Sequence, residues 1–237
     1  MLNVVFPAPA ECRPLIFYLA VEEYLARKCR DDYFMLWQVA PSVIAGRNQD
    51  IEAEADIPYC IANGISVFRR KSGGGCVYAD QGNLMISAVT GGSDKPFLFE
   101  RFIGSLALFL RKQGYDAWPS GRNDIMISGK KVSGSAFYST GSRNVIHATL
   151  LCDSDLEAMS HALTPPPGKL ASKGIASVRQ RVANLSEFSD TDIPGMQREL
   201  AAFFCDGEKV LTPGELGEID GIMARYVEKN YAILWKH

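Results

Sequence analysis

The sequence predicts an α+β fold, with mixed, largely antiparallel sheets packed against helices in a single domain over residues 1–237. Three observations carry this reading. Segments of helical spacing and hairpin-like strands alternate irregularly, without the regular strand–helix alternation of a doubly wound sheet. No internal repeat or low-complexity linker divides the chain. At 237 residues, 47% of them apolar, the chain can bury one substantial core.

Each element has its own signal. "RPLIFYLAVEEYLARKC" (13–29) reads as an amphipathic helix, with Leu15, Leu19 and Glu22–Glu23 near helical spacing. "YFMLWQVAPSVIAG" (33–46) mixes aromatic and β-branched residues around one proline and predicts two short strands. "IPYCIANGISVFRR" (57–70) predicts a short helix, a stop at Gly64 and a strand, and "NLMISAV" (83–89) another strand. A helix over 95–114 is opened by Pro96 and stopped by Gly114. Strands follow at 123–128, 131–138 and 144–152. Pro194 opens a helix to about Phe204, and "TPGE" (212–215) has the capping-box spacing of a last helix reaching Glu228.

Composition narrows the function classes. A formal net charge of −2 argues against wholesale nucleic-acid coating, and no long uncharged apolar run could span a bilayer. The opening "MLNVVFPAPAECRP" lacks the basic and apolar regions of a secretory signal. The six cysteines (12, 29, 60, 76, 152, 205) contain no C-x-x-C pair and read as reduced thiols, so a cytoplasmic protein is expected. Three scattered histidines and no cysteine pair argue against zinc, and no G-x-S-x-G elbow marks a serine hydrolase.

Three stretches carry candidate chemistry. "RRKSGGGCVYADQGN" (69–83) sets three glycines behind Arg69, Arg70 and Lys71. Consecutive glycine amides can form an anion-binding nest, although neither the phosphate-loop nor the dinucleotide spacing is present. The basic triplet fits either an anion or a solvated charge run. "GRNDIMISGKKVSGSAFY" (121–138) predicts a hairpin around Ser128–Gly129–Lys130; strict alternation would put Lys131, Ser133 and Ser135 on one face and Val132, Gly134 and Ala136 on the other. "KLASKGIASVRQRVANL" (169–185) is basic, with Lys169, Lys173, Arg179 and Arg181, and reads as a lid over an anion or as a surface loop.

Together these stretches resemble the lipoate-protein ligase A family. The likeness runs in order through "LAVEEYL" (19–25), "LWQ" (36–38), "GRNQ" (46–49), the three stretches above and "HATLL" (147–151). The resemblance implies the fold shared with biotin-protein ligases and related to class II aminoacyl-tRNA synthetase cores. It implies two-step chemistry: ATP and lipoate give lipoyl-adenylate and pyrophosphate, and a lysine of a lipoyl domain then takes the acyl group. That acceptor would belong to a 2-oxoacid dehydrogenase E2 subunit or the glycine-cleavage H protein.

By the same resemblance, Arg70, Ser72, Cys76, Tyr78 and the backbone of Gly73, Gly74 and Gly75 would line the lipoate site, with Asn83 near the nucleotide. Lys131 would bridge acyl carbonyl and α-phosphate. Asn123 and Asp124 would lie beside the phosphates, Asp124 contacting Mg²⁺ or taking charge from the incoming lysine. Ser133, Ser135, Ala136 and His147 complete the binding set, His147 as an orienting group rather than a general base. Lys173 and Arg179 would cover the adenylate.

Departures from the family pattern are Cys76, Ala79 in place of histidine at the pocket edge, and Ala148 in place of glycine. The chain also ends at "AILWKH", where many members continue into an accessory domain, which leaves room for a separate accessory subunit or a transfer-only enzyme. A cysteine-dependent octanoyltransferase is the alternative; "DAWPSGRND" and "LTPPP" lack the cysteines such enzymes would carry there.

Overall fold

The helix expected to be amphipathic turns out to be buried on every side. In the computed structural model, which describes residues 1–6, 13–121, 123–140, 143–164, 181–229 and 231–234, strand β1 (Leu2–Val5) precedes α1 (Leu15–Lys28), and every residue from Leu15 to Ala26 is buried, Glu22 and Glu23 included. Its polar residues therefore face an interior site and not solvent. Strands β2 (Tyr33–Trp37) and β3 (Ser42–Ala45) flank the proline as expected. Two short helices, α2 (Ile51–Glu54) and α3 (Ile57–Ala62), are capped by Asp50 and Asp56; Gly64, at φ 68°, turns the chain into β4 (Ser66–Arg69).

After the glycine loop come β5 (Val77–Ala79) and β6 (Asn83–Gly91). Helix α4 (Lys95–Lys112) has Asp94 accepting from the Phe97 amide and Pro96 in its first turn. Strands β7 (Ala117–Ser120), β8 (Asp124–Ile127), β9 (Lys130–Thr140) and β10 (Arg143–Leu151) run antiparallel, followed by α5 (Leu156–Ala162). Helix α6 (Ile193–Phe204), β11 (Gly207–Val210), α7 (Pro213–Glu228) and β12 (Ala232–Leu234) complete the described chain. The Thr212–Glu215 capping box forms as the spacing predicts. The strands β1, β5, β7, β11 and β12 and the helix α5 carry no strong periodic signal and escape the sequence reading.

An eight-stranded sheet has the order β11-β1-β2-β6-β10-β9-β8-β7, and a four-stranded sheet β12-β4-β3-β5. Among the strands of the described residues, the β11–β1–β2 and β3–β4 pairings are parallel and the rest antiparallel, so the mixed, largely antiparallel expectation holds. Helices α1 and α7 pack on one face of the large sheet, and α4 and α6 on the other. Burial on both faces explains why β2 and β6 read as continuous apolar runs. A third cluster joins the small sheet to α5 and Val182.

The β8–β9 hairpin departs from simple alternation. Ser128 and Gly129, at φ 49° and 77°, form a two-residue turn, so Lys130 is already in β9. Ile125 then pairs with Ser133 but Met126 with Lys131, which leaves Val132 as an extra residue in a bulge. The bulge overturns the expected faces. Lys131 lies against Gly134, where an added Cβ would sit 2.6 Å from Lys131 Cε. Ser133 and Ser135 pair with Leu150 and Ala148, on the buried apolar face.

Candidate functional site

A cavity of about 420 Å³ opens where the two sheets meet. Leu19, Trp37, Ile44, Val77 and Met85 give it an apolar wall; Asn123, Asp124, Lys131 and Arg181 give it a charged one. Arg70, Gly74, Gly75, Cys76, Tyr78, Asn83, Ala136 and His147 also border it, so most of the expected residues converge.

The basic triplet is turned onto groups of the protein itself. Arg69 donates to the carbonyls of Gly46, Arg47 and Gln49, bracing the "GRNQ" loop. Arg70 is buried, and its guanidinium donates to Ser72 Oγ (3.0 Å) and to the carbonyls of Ile44 (2.8 Å), Gly73 (2.9 Å) and Gly75 (2.9 Å). Burial pushes Arg70 down to about 10, against the opposing pull of Cys76, Glu22 and Glu54. Lys71 turns away to pair with Glu23 and lies over the Tyr226 ring. All three cations therefore shape loops.

Arginine at position 70 also requires the glycine at position 74. Gly74 adopts φ 98°, and a Cβ there would meet Arg70 Nη2 at 2.7 Å. Among the described residues, no intramolecular hydrogen bond uses the amides of Gly73, Gly74 or Gly75 as donors. The loop thus presents main-chain donors while the arginine holds its carbonyls back.

Behind the loop runs a hydrogen-bond chain. Arg70 Nε donates to Ser72 Oγ, which lies 2.6 Å from His147 Nε2. On the other side of the ring, Nδ1 faces Glu22 Oε1 at 3.3 Å, which also accepts from Ser87 Oγ at 2.6 Å; Trp37 Nε1 in turn donates to Ser87 Oγ. Ser72, His147 and Glu22 share the connectivity of a hydrolase triad. Ser72 is fully buried, does not border the cavity and accepts a hydrogen bond from Arg70 Nε, so its hydroxyl is not presented to a substrate as a nucleophile. His147 borders the cavity within this network.

The charged wall is built on the bulged hairpin. Asp124 faces Lys131 with Oδ1 (2.7 Å to Nζ) and Arg181 with Oδ2 (3.1 Å to Nη2). Asn123 is fixed by exchanging hydrogen bonds with the Ser135 main chain, and Asn83 Nδ2 donates to the Tyr78 carbonyl. Both Asp124 oxygens face cations, so in this arrangement Asp124 presents no free carboxylate edge to Mg²⁺.

Several sequence expectations change. The Ser133 and Ser135 side chains sit across the sheet from Lys131, although Ser135 still borders the cavity. Ala79 is fully buried in the α1 cluster and is not at the pocket edge. Ala148 lies in β10 without positive φ, so its Cβ is accommodated. The five described cysteines are free, and burial pushes the Cys152 thiol up to about 12. Lys173 and Arg179 lie outside the described residues. The sequence offers Arg181 only within the basic stretch, Glu22 only in the helical spacing and Trp37 only within "LWQ", none as a site residue; nothing in the spacing ranks Arg181 above Arg179, and Glu22 resembles a surface glutamate until α1 is buried.

A family model described as the lipoyl protein ligase A/B catalytic domain matches residues 15–204. The chain belongs to this family. Curated relatives of this lipoyl protein ligase catalytic domain include lipoate–protein ligase 1 of Staphylococcus aureus, 41% identical over 72% of the chain and 53% of the relative. Another is lipoate-protein ligase LplJ of Bacillus subtilis, 42% identical over 73% and 53%. The chain spans about half the length of these relatives. Among solved structures, a lipoate-protein ligase A bound with ATP superposes at a TM-score of 0.85, with 26% identity and 98% of each chain covered. A putative lipoate protein ligase of Thermoplasma acidophilum with bound lipoic acid gives 0.83 at 26% identity and the same coverage. A chain of a bi-partite lipoate protein ligase studied with its E2 lipoyl domain from that organism also gives 0.83, at 28% identity, with 100% of this chain and 97% of that one covered. The lipoate-ligase fold is therefore established. No described helix is long and apolar enough to cross a membrane.

Proposed function

We propose that this domain activates lipoate with ATP and transfers the lipoyl group to a lysine of a lipoyl domain. The observation that carries the reading is the division of one cavity into an apolar wall and the Lys131–Asp124–Arg181 wall, inside a family whose relatives are named for this activity. A slim apolar acid would lie along Leu19, Trp37 and Met85, with its carboxylate toward the lysine.

In the first step a lipoate carboxylate oxygen attacks the α-phosphorus, and the bond to the leaving pyrophosphate breaks. Two anionic groups must approach, so a fixed cation between them lowers the barrier. Lys131 takes that role, with the glycine-loop amides as further donors. In the second step the neutral amine of the acceptor lysine attacks the acyl carbon. The carbon–oxygen bond to AMP breaks, an amide forms, and the amine releases its proton. Lys131 stays positive throughout, stabilising first the crowded phosphate and then the departing one. Asp124 holds the cations. It is not a free carboxylate for Mg²⁺.

The test is the intact mass of an apo lipoyl domain after incubation with lipoate, ATP and Mg²⁺, beside a tube given synthetic lipoyl-adenylate. A gain of one lipoyl group in both tubes is expected. Gain with the adenylate alone would leave a transfer-only domain, and gain in neither would remove the ligase reading.

A further inference from the structure

We propose that Arg181 is a positioning residue for Lys131, acting through Asp124, and that Gly134 provides the space in which this ion cluster forms. The proposal deepens the ligase reading, on which its activity readout rests.

Lysine is a point charge on a flexible four-carbon stem, and by itself does not hold one position. Asp124 supplies an anchor, but a carboxylate held on one oxygen can still rotate about its own bond. Here each oxygen faces a different cation: Oδ2 accepts a hydrogen bond from Arg181 Nη2 at 3.1 Å, which aims Oδ1 at Lys131 Nζ, 2.7 Å away as an ion pair. Arg181 reaches this place through the main chain. Val182 bridges to Lys131 in parallel, and the Ala183 amide donates to the Lys131 carbonyl at 3.0 Å. The same short segment thus grips Lys131 by its backbone and, through Asp124, by its ammonium.

Charge supports the assignment. Lys131 and Asp124 alone would face the cavity as a neutral pair, a poor environment for a carboxylate meeting a phosphate. Arg181 restores one net positive charge. Gly134 completes the arrangement, because a Cβ there would lie 2.6 Å from Lys131 Cε and push the ammonium off the strand. The atoms in conflict belong to the end of a flexible side chain, so Gly134→Ala should fold while misplacing the charge.

Two readouts test this. In substrate-free protein, acetylation of Lys131 by an N-hydroxysuccinimide ester is followed by peptide mass spectrometry, normalised to exposed Lys112. Arg181→Ala and Gly134→Ala should label Lys131 several-fold faster than wild type, and Arg181→Lys should return toward it. In the lipoylation assay, Arg181→Ala should lower kcat about 10–100-fold with little change in KM for ATP. The same change in an Asp124→Asn background should add almost nothing. Wild-type labelling in both Arg181→Ala and Gly134→Ala, or losses that multiply in the double variant, would overturn the proposal, the latter by making Arg181 act on substrate directly. If wild type lipoylates nothing, the ligase reading fails by itself and the labelling series still decides the role of Arg181. Should Arg181→Ala not fold, Gly134→Ala carries the labelling test.

Discussion

Two basic regions border the same cavity, and they use their charge in opposite ways. At the glycine loop, Arg69, Arg70 and Lys71 turn inward onto carbonyls and Glu23, leaving main-chain amides as the groups available to a ligand. At the bulged hairpin, Lys131 and Arg181 share one carboxylate and keep a net positive charge against the cavity. Cationic sequence therefore marks scaffold in one place and a charged cavity wall in the other. The distinction is set by what lies within reach: backbone carbonyls in a tight loop absorb a guanidinium, while an open cavity wall does not.

The largest expected effect is at Lys131. Lys131→Ala should lower the rates of adenylate formation and of transfer by about 10²–10³-fold, the usual loss when one fixed donor leaves a developing charge. Melting temperature should barely move, because Asp124 keeps Arg181. Single-turnover assays with and without preformed adenylate would measure both steps, and near-normal rates would break the contrast.

Arg70→Ala should do the reverse, acting first on stability. It strands three carbonyls and the Ser72 hydroxyl around a buried gap, a loss on the order of 3 kcal/mol in urea unfolding. Arg70→Lys should rescue little, since one ammonium cannot reproduce the planar fork. A stable Arg70→Ala protein with selectively lost turnover would move Arg70 into the chemistry.

Acid sharpens the comparison further. Burial raises the Glu23 carboxyl, but the Lys71 hydrogen bond and charge, with Arg27, outweigh it and hold it below its ordinary value. Its contribution is therefore complete above the unfolded value of 4.5 and is lost as pH falls through the lower folded value. Glu23→Gln should flatten that acid limb in pH-dependent melting curves, and an unchanged limb would detach Lys71 from the loop's support.

Lys71→Ala should show the smallest effect, about 0.5–1 kcal/mol, because Glu23 keeps Arg27. Lipoylation should be close to wild type. A large loss of turnover, read by intact mass, would mean that Lys71 reaches the ligand after all.

What the sequence determined by itself was mostly local. Pro96 and Gly114 bound a helix, and Thr212 and Glu215 cap another, because such end signals need only neighbours three or four residues away. The ordered motifs identified the family and brought Arg70, the glycines, Asn83, Asp124 and Lys131 to one site. The edge strands β5, β7, β11 and β12, and β1 beside β11, were not legible, because their strand state comes from partners far along the chain. Tertiary structure alone decided where charges point. One extra residue at Val132 turned Lys131 toward Gly134 and Asp124 and left Ser133 and Ser135 on the other face, since a one-residue slip reverses every side chain beyond it. Burying α1 made Glu22 the end of a hydrogen-bond chain to the glycine loop, and the return of residues 181–183 beside β9 placed Arg181 on Asp124. Side-chain direction depends on long-range packing, which residue spacing does not encode.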